Sequence, residues 1–366
     1  MAKERIVSGR QADGVQEDQL NVALRPQRLD DYIGQPKLVE KLRITLQAAS
    51  QRGEAMEHVL LHGPPGLGKT TLAHIIANEM GTHLVVTSGP ALVRPTDLVG
   101  MLTKLQLGDV LFIDEIHRLS PVVEEYIYPA MEDFKIDVTV DSGMHAKTIT
   151  LPLKPFALIG ATTRAGMLSG PMRSRFGVTH SFEFYSQEDL LHILRRNAAL
   201  LNLTGAGPSA DGESGQAVMQ IGIVESLNMI ASRSRGTPRI ANRLLRRVRD
   251  FSQVRARGEL TSDIVDVSLR LEGVDELGLD ELDRKYLSVI GQIYRGGPVG
   301  LEAIAATLAE DSGTLEELVE PYLLQIGFLA RTRKGRRLTH RAAKHLGIAI
   351  TDDDPVGELF QEPKPQ

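Results

Sequence analysis

The chain has 366 residues, a formal net charge of −5, 42% hydrophobic and 24% charged residues, and no cysteine. That length allows more than one core, while the missing cysteines exclude disulfides, thiol nucleophiles and thiolate zinc sites, and no run of ~18 apolar residues offers a membrane span. With an acidic balance, any nucleic-acid surface must be a local basic patch.

Residues 1–20 are polar, lack the apolar stretch of a secretory signal and read as a flexible tail, so a cytoplasmic location is expected. From Val59 to Leu61 an apolar run leads into Gly63, Gly68, Lys69 and Thr70 at G-x-x-x-x-G-K-[ST] spacing, followed by the periodic stretch Leu72–Met80. This is a strand, a loop and a helix built for a nucleoside triphosphate. Glycines let backbone N–H groups curl around phosphates, Lys69 supplies a point charge, and the Thr70 hydroxyl can ligate Mg²⁺. Strands are predicted at Leu84–Thr87 and Val110–Ile113, the second ending in Asp114-Glu115. Alone, two acids after a strand would fit a solvated turn; beside a phosphate loop, Asp114 can hold the metal through water and Glu115 can orient and deprotonate an attacking water.

The stretch 135–153 alternates polar and apolar residues on both sides of Ser142-Gly143 and reads as a hairpin, either a sheet extension or a projection carrying Met144. A strand at Phe156–Ala161 then ends in Thr162, Thr163 and Arg164, with Arg173 and Arg175 beyond. A polar residue there can sense the γ-phosphate, and an arginine can stabilise the transferring phosphoryl in cis or from a neighbour; the alternative is a basic loop exposed to water. Residues 21–184 thus read as an α/β domain on a parallel sheet.

Residues 185–258 are helical and rich in arginine, interrupted by Thr204–Gly222, whose Gly and Ser content predicts a mobile surface loop. Gly236 and Pro238 precede a helix beginning near Arg239, a cation that opposes the macrodipole and suits a nearby anion. In 259–347 three short helices precede a strand, a basic turn and a strand, the pattern of a winged helix. Seven Lys or Arg, from Arg331 to Lys344, stand there without an acid between Arg331 and His345. This is the local patch, with a tip glycine that lets backbone approach a phosphate; contacts independent of base sequence are expected. Residues 348–366 are acidic and aperiodic, and read as disordered.

Taken together, "LRPQRLDDYIGQ", "HGPPGLGKTTLA", "LFIDEIHRL", "IGATTRAGMLSGPMRSRFG", "RGTPRIANRLLRRVRDF" and "GFLARTRKGR" closely resemble the RuvB family of AAA+ ATPases, bacterial motors of Holliday junction branch migration, over about Asn21–Gly347. The resemblance implies a P-loop NTPase (AAA+) large domain at 21–184, a helical lid at 185–258 and a C-terminal winged-helix head at 259–347. It puts Leu24 and Arg25 at the nucleotide base, Gly66, Lys69, Thr70 and Thr71 at the phosphates of ATP, and Mg²⁺ at Thr70 and Asp114. Asp114 and Glu115 become the Walker B pair, Thr163 the first sensor, Arg175 the arginine finger with Arg173 as alternative, and Tyr185 and Arg239 the lid-side nucleotide contacts. Glu132, Asp133 and Phe134 lie near the subunit boundary, and Arg331 and Arg336 contact DNA. Implied partners are duplex DNA and four-way junctions, RuvA through the hairpin at about 136–153, RuvC in a resolvasome, and five further copies in a homohexamer. The implied role is ATP-driven branch migration in homologous recombination, DNA repair and the SOS response. A clamp loader or a protein-remodelling ATPase is the alternative.

Overall fold

The computed structural model describes residues 24–139, 148–201, 203 and 213–348. Two compact units divide the chain, one ending at residue 202 and the other beginning at Leu203, and among the described residues each contains its own apolar core. The first unit runs α1 (Pro36–Arg52), β1 (Val59–His62), α2 (Lys69–Met80), β2 (Leu84–Ser88), α3 (Pro95–Leu102), β3 (Val110–Asp114), α4 (Pro121–Glu132), β4 (Lys135–Thr139), β5 (Thr148–Pro152), β6 (Ala157–Thr162), α5 (Gly170–Ser174), β7 (Val178–Ser181) and α6 (Gln187–Leu200).

Five of these strands form a parallel sheet in the order β2-β3-β6-β1-β7. Central strands of such a sheet are covered on both faces and so read as continuous apolar runs; every residue of β6 is buried, and β3 is buried up to Asp114. Strand β7 escapes sequence reading because "VTHS" is short and mostly polar, and it pairs with β1 alone. The alternating stretch forms the expected hairpin: β4 and β5 pair antiparallel from Lys135↔Pro152 to Thr139↔Thr148. Ile136, Val138 and Leu151 join the core while Ile149 faces solvent. Its turn, with Ser142, Gly143 and Met144, lies outside the described residues.

The second unit contains α7 (Glu213–Ser232), α8 (Pro238–Arg255), α9 (Ser262–Leu271), α10 (Glu281–Ser288), α11 (Leu301–Leu308), α12 (Glu320–Gln325), β8 (Leu329–Thr332), β9 (Gly335–Leu338) and α13 (His340–Leu346). Helix α7 begins at Glu213, so the latter half of the stretch expected as a surface loop, 213–222, is helical instead; residues 204–212 lie outside the described part. Glycine and serine lower helix propensity by up to ~1 kcal/mol each, but extending a helix already anchored by buried Leu227, Ile230 and Ala231 adds a hydrogen bond per residue and needs no new nucleus.

Buried Arg235 fastens the α7–α8 turn to the start of α10, pairing with Asp280 at 2.8 Å and Asp283 at 2.6 Å and donating from Nε to the Gly278 carbonyl at 2.7 Å. Beyond it Tyr286, Leu287, Ile290, Leu315, Leu323 and Phe328 fill the core of the winged helix. Its wing, β8 and β9, gains a third backbone partner: Val299 N–H donates to the Arg336 carbonyl at 2.9 Å, and the Val299 carbonyl accepts from Arg336 N–H at 2.7 Å. The glycine of the wing also answers a constraint within the fold. Gly335 stands at φ 132°, and a Cβ there would lie 2.4 Å from the Val299 carbonyl oxygen; the Val299 segment beside the wing therefore requires glycine here. Gly335→Ala is therefore expected to destabilise the wing by about 2–4 kcal/mol, lowering the calorimetric transition of the second unit, whereas Gly300→Ala, where a Cβ meets nothing within 4 Å and only the N-cap of α11 changes, should cost no more than about 1 kcal/mol.

Candidate functional site

In-register parallel pairing sets Leu61 beside Ala161 and His62 beside Thr162, and Ile113 beside Gly160. The loops leaving β1, β3 and β6 therefore emerge at neighbouring strand ends, roughly 5 Å apart from one strand to the next. Gly63, Gly66 and Gly68 take φ of 140°, 78° and 101°, turning the loop after β1 onto itself. Gly68 caps α2 without any side-chain acceptor, so the first N–H groups of the helix point into the loop, as an anion site needs. Lys69 is 8% exposed, and its Nζ donates to the carbonyls of Gly63 at 2.8 Å and Pro64 at 2.9 Å. Thr70 and Thr71 follow, half-buried in the first turn.

At the end of β3, Asp114 Oδ1 accepts from Glu115 N–H at 2.9 Å. Glu115 adopts φ 47° and pairs with Arg118 at 2.8 Å. At the end of β6 two adjacent threonines divide the work. Thr162 Oγ1 meets His117 Nδ1 at 2.9 Å and accepts from Arg164 N–H at 2.9 Å, while the buried Thr163 hydroxyl oxygen has no hydrogen-bond partner among the described residues. A buried hydroxyl left unpaired costs ~1–3 kcal/mol, which a phosphate oxygen would relieve. The residues thus fit a nucleoside triphosphate with Mg²⁺: a glycine loop, an uncapped helix start, a buried ammonium, Thr70 and Asp114 as oxygen donors, and an orphaned hydroxyl. Burial, then the charges of Arg173 and Lys69, hold the His62 pKa below its ordinary value, so His62 beside the loop stays neutral.

Leu24 is buried, and its carbonyl accepts from Arg196 Nη2 at 3.0 Å. Arg25 lies close enough to His74 for its charge, after burial, to lower the His74 pKa. Tyr185 is buried with its hydroxyl 3.2 Å from the Leu67 carbonyl and 2.8 Å from the Tyr32 hydroxyl. Tyr32 is a site residue that sequence reading missed, since nothing in "DDYIGQ" marks it as the partner of a tyrosine 153 positions away. Burial raises both phenols, Tyr185 to about 12.

Arg175 turns to its own α4: its guanidinium pairs with Glu132 at 3.1 Å, donates to the Pro171 carbonyl at 2.8 Å and stacks 4.2 Å from the Tyr128 ring centre. Of the neighbouring acidic motif, Asp133 pairs with Lys135 at 2.8 Å and Phe134 packs inward against Phe156 and His58. Arg173 is exposed. In the second unit Arg239 occupies the first turn of α8 and is exposed. On the wing Arg331 and Arg336 both reach Glu320, an acid outside the basic run that sequence reading did not connect with it. Arg333, Lys334, Arg341 and Lys344 are exposed.

Three family models match the chain: the P-loop domain of the Holliday junction DNA helicase RuvB over residues 24–182, the RuvB AAA lid domain over 214–275 and the RuvB C-terminal winged helix domain over 276–347. A curated relative, the RuvB subunit of the Holliday junction branch migration complex of Desulfosudis oleivorans, is 55% identical over 327 residues, covering 89% of this chain and 90% of the relative. The solved structure of the Thermotoga maritima RuvB Holliday junction branch migration motor is 49% identical with a TM-score of 0.77, covering 90% of this chain and 99% of that one. A mutant of the same Thermotoga protein gives 0.79 over 89% and 100%.

The buried phenols generate a pH signature. A phenol raised in the folded state binds its proton more tightly there than in the unfolded chain, so its stabilisation is complete below pH ~10 and is lost as the pH climbs toward 12. Urea midpoints of the first unit should fall across that window by an amount equivalent to roughly 3 kcal/mol from Tyr185, and Tyr185→Phe should lessen the slope while Tyr32 keeps part of it; an unchanged slope in the variant refutes the assignment.

Proposed function

This chain belongs to the RuvB family, and from that premise we propose that it is an ATP-driven motor that moves duplex DNA and thereby the branch point of a four-way junction, working as a homohexamer with RuvA in the bacterial cytoplasm. The observation that carries the chemistry is the meeting of the P-loop, Asp114 and the orphaned Thr163 hydroxyl at three adjacent strand ends. The three segments 21–184, 185–258 and 259–347 act as ATPase, lid and head.

Backbone N–H groups of the glycine loop and the Lys69 ammonium bind the β- and γ-phosphates, and the buried cation needs little reorganisation to do so. Thr70 and Asp114 would hold Mg²⁺, which would supply positive charge to offset the negative charge of the phosphates. Glu115 leaves Arg118 to orient and deprotonate the attacking water, and Thr163 donates to the γ-phosphate. Leu24, Arg25 and Tyr185 shape the base side of the site, and Arg239 serves from the lid. Arg175 leaves Glu132 to stabilise phosphoryl charge in the neighbouring subunit, and its contact with Glu132 ties the finger to the start of the segment Glu132–Phe134. The wing arginines contact phosphates without reading bases, the hairpin at 136–153 docks RuvA, and RuvC joins the complex in a resolvasome.

The test is ATP-dependent dissociation of a synthetic four-way junction, with and without RuvA, against linear duplex. Junction-selective movement that needs ATP and rises with RuvA is expected; ATPase activity without junction movement would return the reading to a clamp loader or a remodelling enzyme. Lys69→Ala should abolish turnover, and Glu115→Gln should retain ATP binding while losing hydrolysis by at least about 10²-fold, as equilibrium binding and phosphate release would report. Arg175→Ala should regain part of its activity on mixing with Lys69→Ala, since one intact composite site forms between them; no recovery in assembled rings rules out a finger acting in trans.

A further inference from the structure

Arg331 and Arg336 occupy directly opposed positions of the β8–β9 ribbon, where like charges on facing residues repel. The fold resolves this with one side chain. Glu320, 0% exposed at the start of α12, receives Arg331 Nε at 2.7 Å together with Arg331 Nη2, and Arg336 Nε at 2.8 Å with Nη2 at 3.4 Å. A third donor, the hydroxyl of buried Tyr286, completes the carboxylate at 2.5 Å. Glu316 stands farther out, 3.8 and 4.0 Å from the two guanidinium groups.

The backbone shows why this carboxylate sits there. Pro321 has no N–H to donate back along the helix, and the preceding turn, Leu315–Val319, widens to π geometry, an arrangement frequent at functional sites. The widened turn delivers Glu320 into the core behind the wing. Burial alone would raise its pKa, but the hydrogen bonds from Arg336, Tyr286 and Arg331 outweigh burial and hold it below its ordinary value.

Each guanidinium spends its Nε edge on the buried acid, and Nη1 remains at the other edge. The arginines cover the carboxylate from the solvent side, 42% and 19% exposed by side chain against its 0%. Arginine side chains lose considerable rotamer freedom when a phosphate immobilises them, and a planar fork already held in place loses less. We propose that Glu320 is a positioning residue for DNA binding: it sets the two wing arginines side by side with their outer edges toward the phosphate backbone. This rests on the reading of Arg331 and Arg336 as phosphate contacts.

The alternative, an acid that merely masks positive charge, predicts the opposite sign, which makes the test decisive. Affinity of the full-length chain for a short labelled duplex would be measured by fluorescence anisotropy from about 50 to 200 mM salt. Glu320→Gln adds one unit of positive charge, yet binding should weaken about tenfold at low salt, and the salt slope should become shallower as fewer counterions are released. Tyr286→Phe, which keeps the carboxylate but removes one of its donors, should give a smaller loss of the same kind, with unfolding curves checking that the wing stays folded. In an Arg331→Ala/Arg336→Ala background, Glu320→Gln should cost nothing more. Unchanged or tighter binding by Glu320→Gln overturns the proposal in favour of masking, and an equal loss in both backgrounds overturns it in favour of general support of the fold. If the double arginine variant itself binds like the parent, the underlying reading of the wing fails instead.

Discussion

Parallel pairing of β3, β6 and β1 is the constraint on which the candidate ATP site depends. A parallel ladder forces every strand to end at the same edge of the sheet, so the loops after three apolar runs meet whatever their sequence separation. Both faces of these strands are buried, which leaves the C-terminal edge as the place where polar side chains can gather. A slip of register by one residue would exchange the faces of β6 and carry Thr162 and Thr163 away from the loop after β1. The burial of both faces that fixes these strands in the core therefore also fixes the chemistry at their ends.

Within this frame, charged side chains are placed by partners that compensate their burial. Lys69 rests on two carbonyls of its own loop, Arg235 on Asp280, Asp283 and a carbonyl, and Glu320 on Arg331 and Arg336. A buried charge without such a partner costs several kcal/mol. The same requirement produces order: a guanidinium pinned at one edge presents its other edge in a defined direction. Arg175 differs in kind, since its charge is met by an exposed acid, a carbonyl and an aromatic face and not by a buried carboxylate. An arginine paired with an exposed acid can exchange that partner for a phosphate more readily than one paired with a buried acid, which suits the role proposed for it, whereas Glu320 keeps the wing arginines fixed.

The division between what was legible in the chain and what was not follows the range of the interactions. Glycines, lysine and threonine of the P-loop act over eight consecutive residues, and the acids after β3 and threonines after β6 each close an apolar run, so local patterning identified them and the parallel sheet. The winged helix was readable from helical periodicity and a basic turn. Local composition misled at 213–222, where a helix anchored by Leu227 and Ile230 continues through Gly and Ser.

The sequence by itself determined the order of elements, the nucleotide loop and the basic character of the wing, because periodicity, turn chemistry and loop geometry are set by neighbours along the chain. Tertiary structure alone decided that Tyr32 meets Tyr185, that Arg175 lies on Glu132 and Tyr128, that Gly335 yields space to Val299, and that Glu320 joins two arginines. Each of these is a contact between residues distant or unmarked in sequence. Its geometry is fixed by how helices and strands pack and by the need to pair every buried polar group, and neither condition is written in any short stretch of the chain.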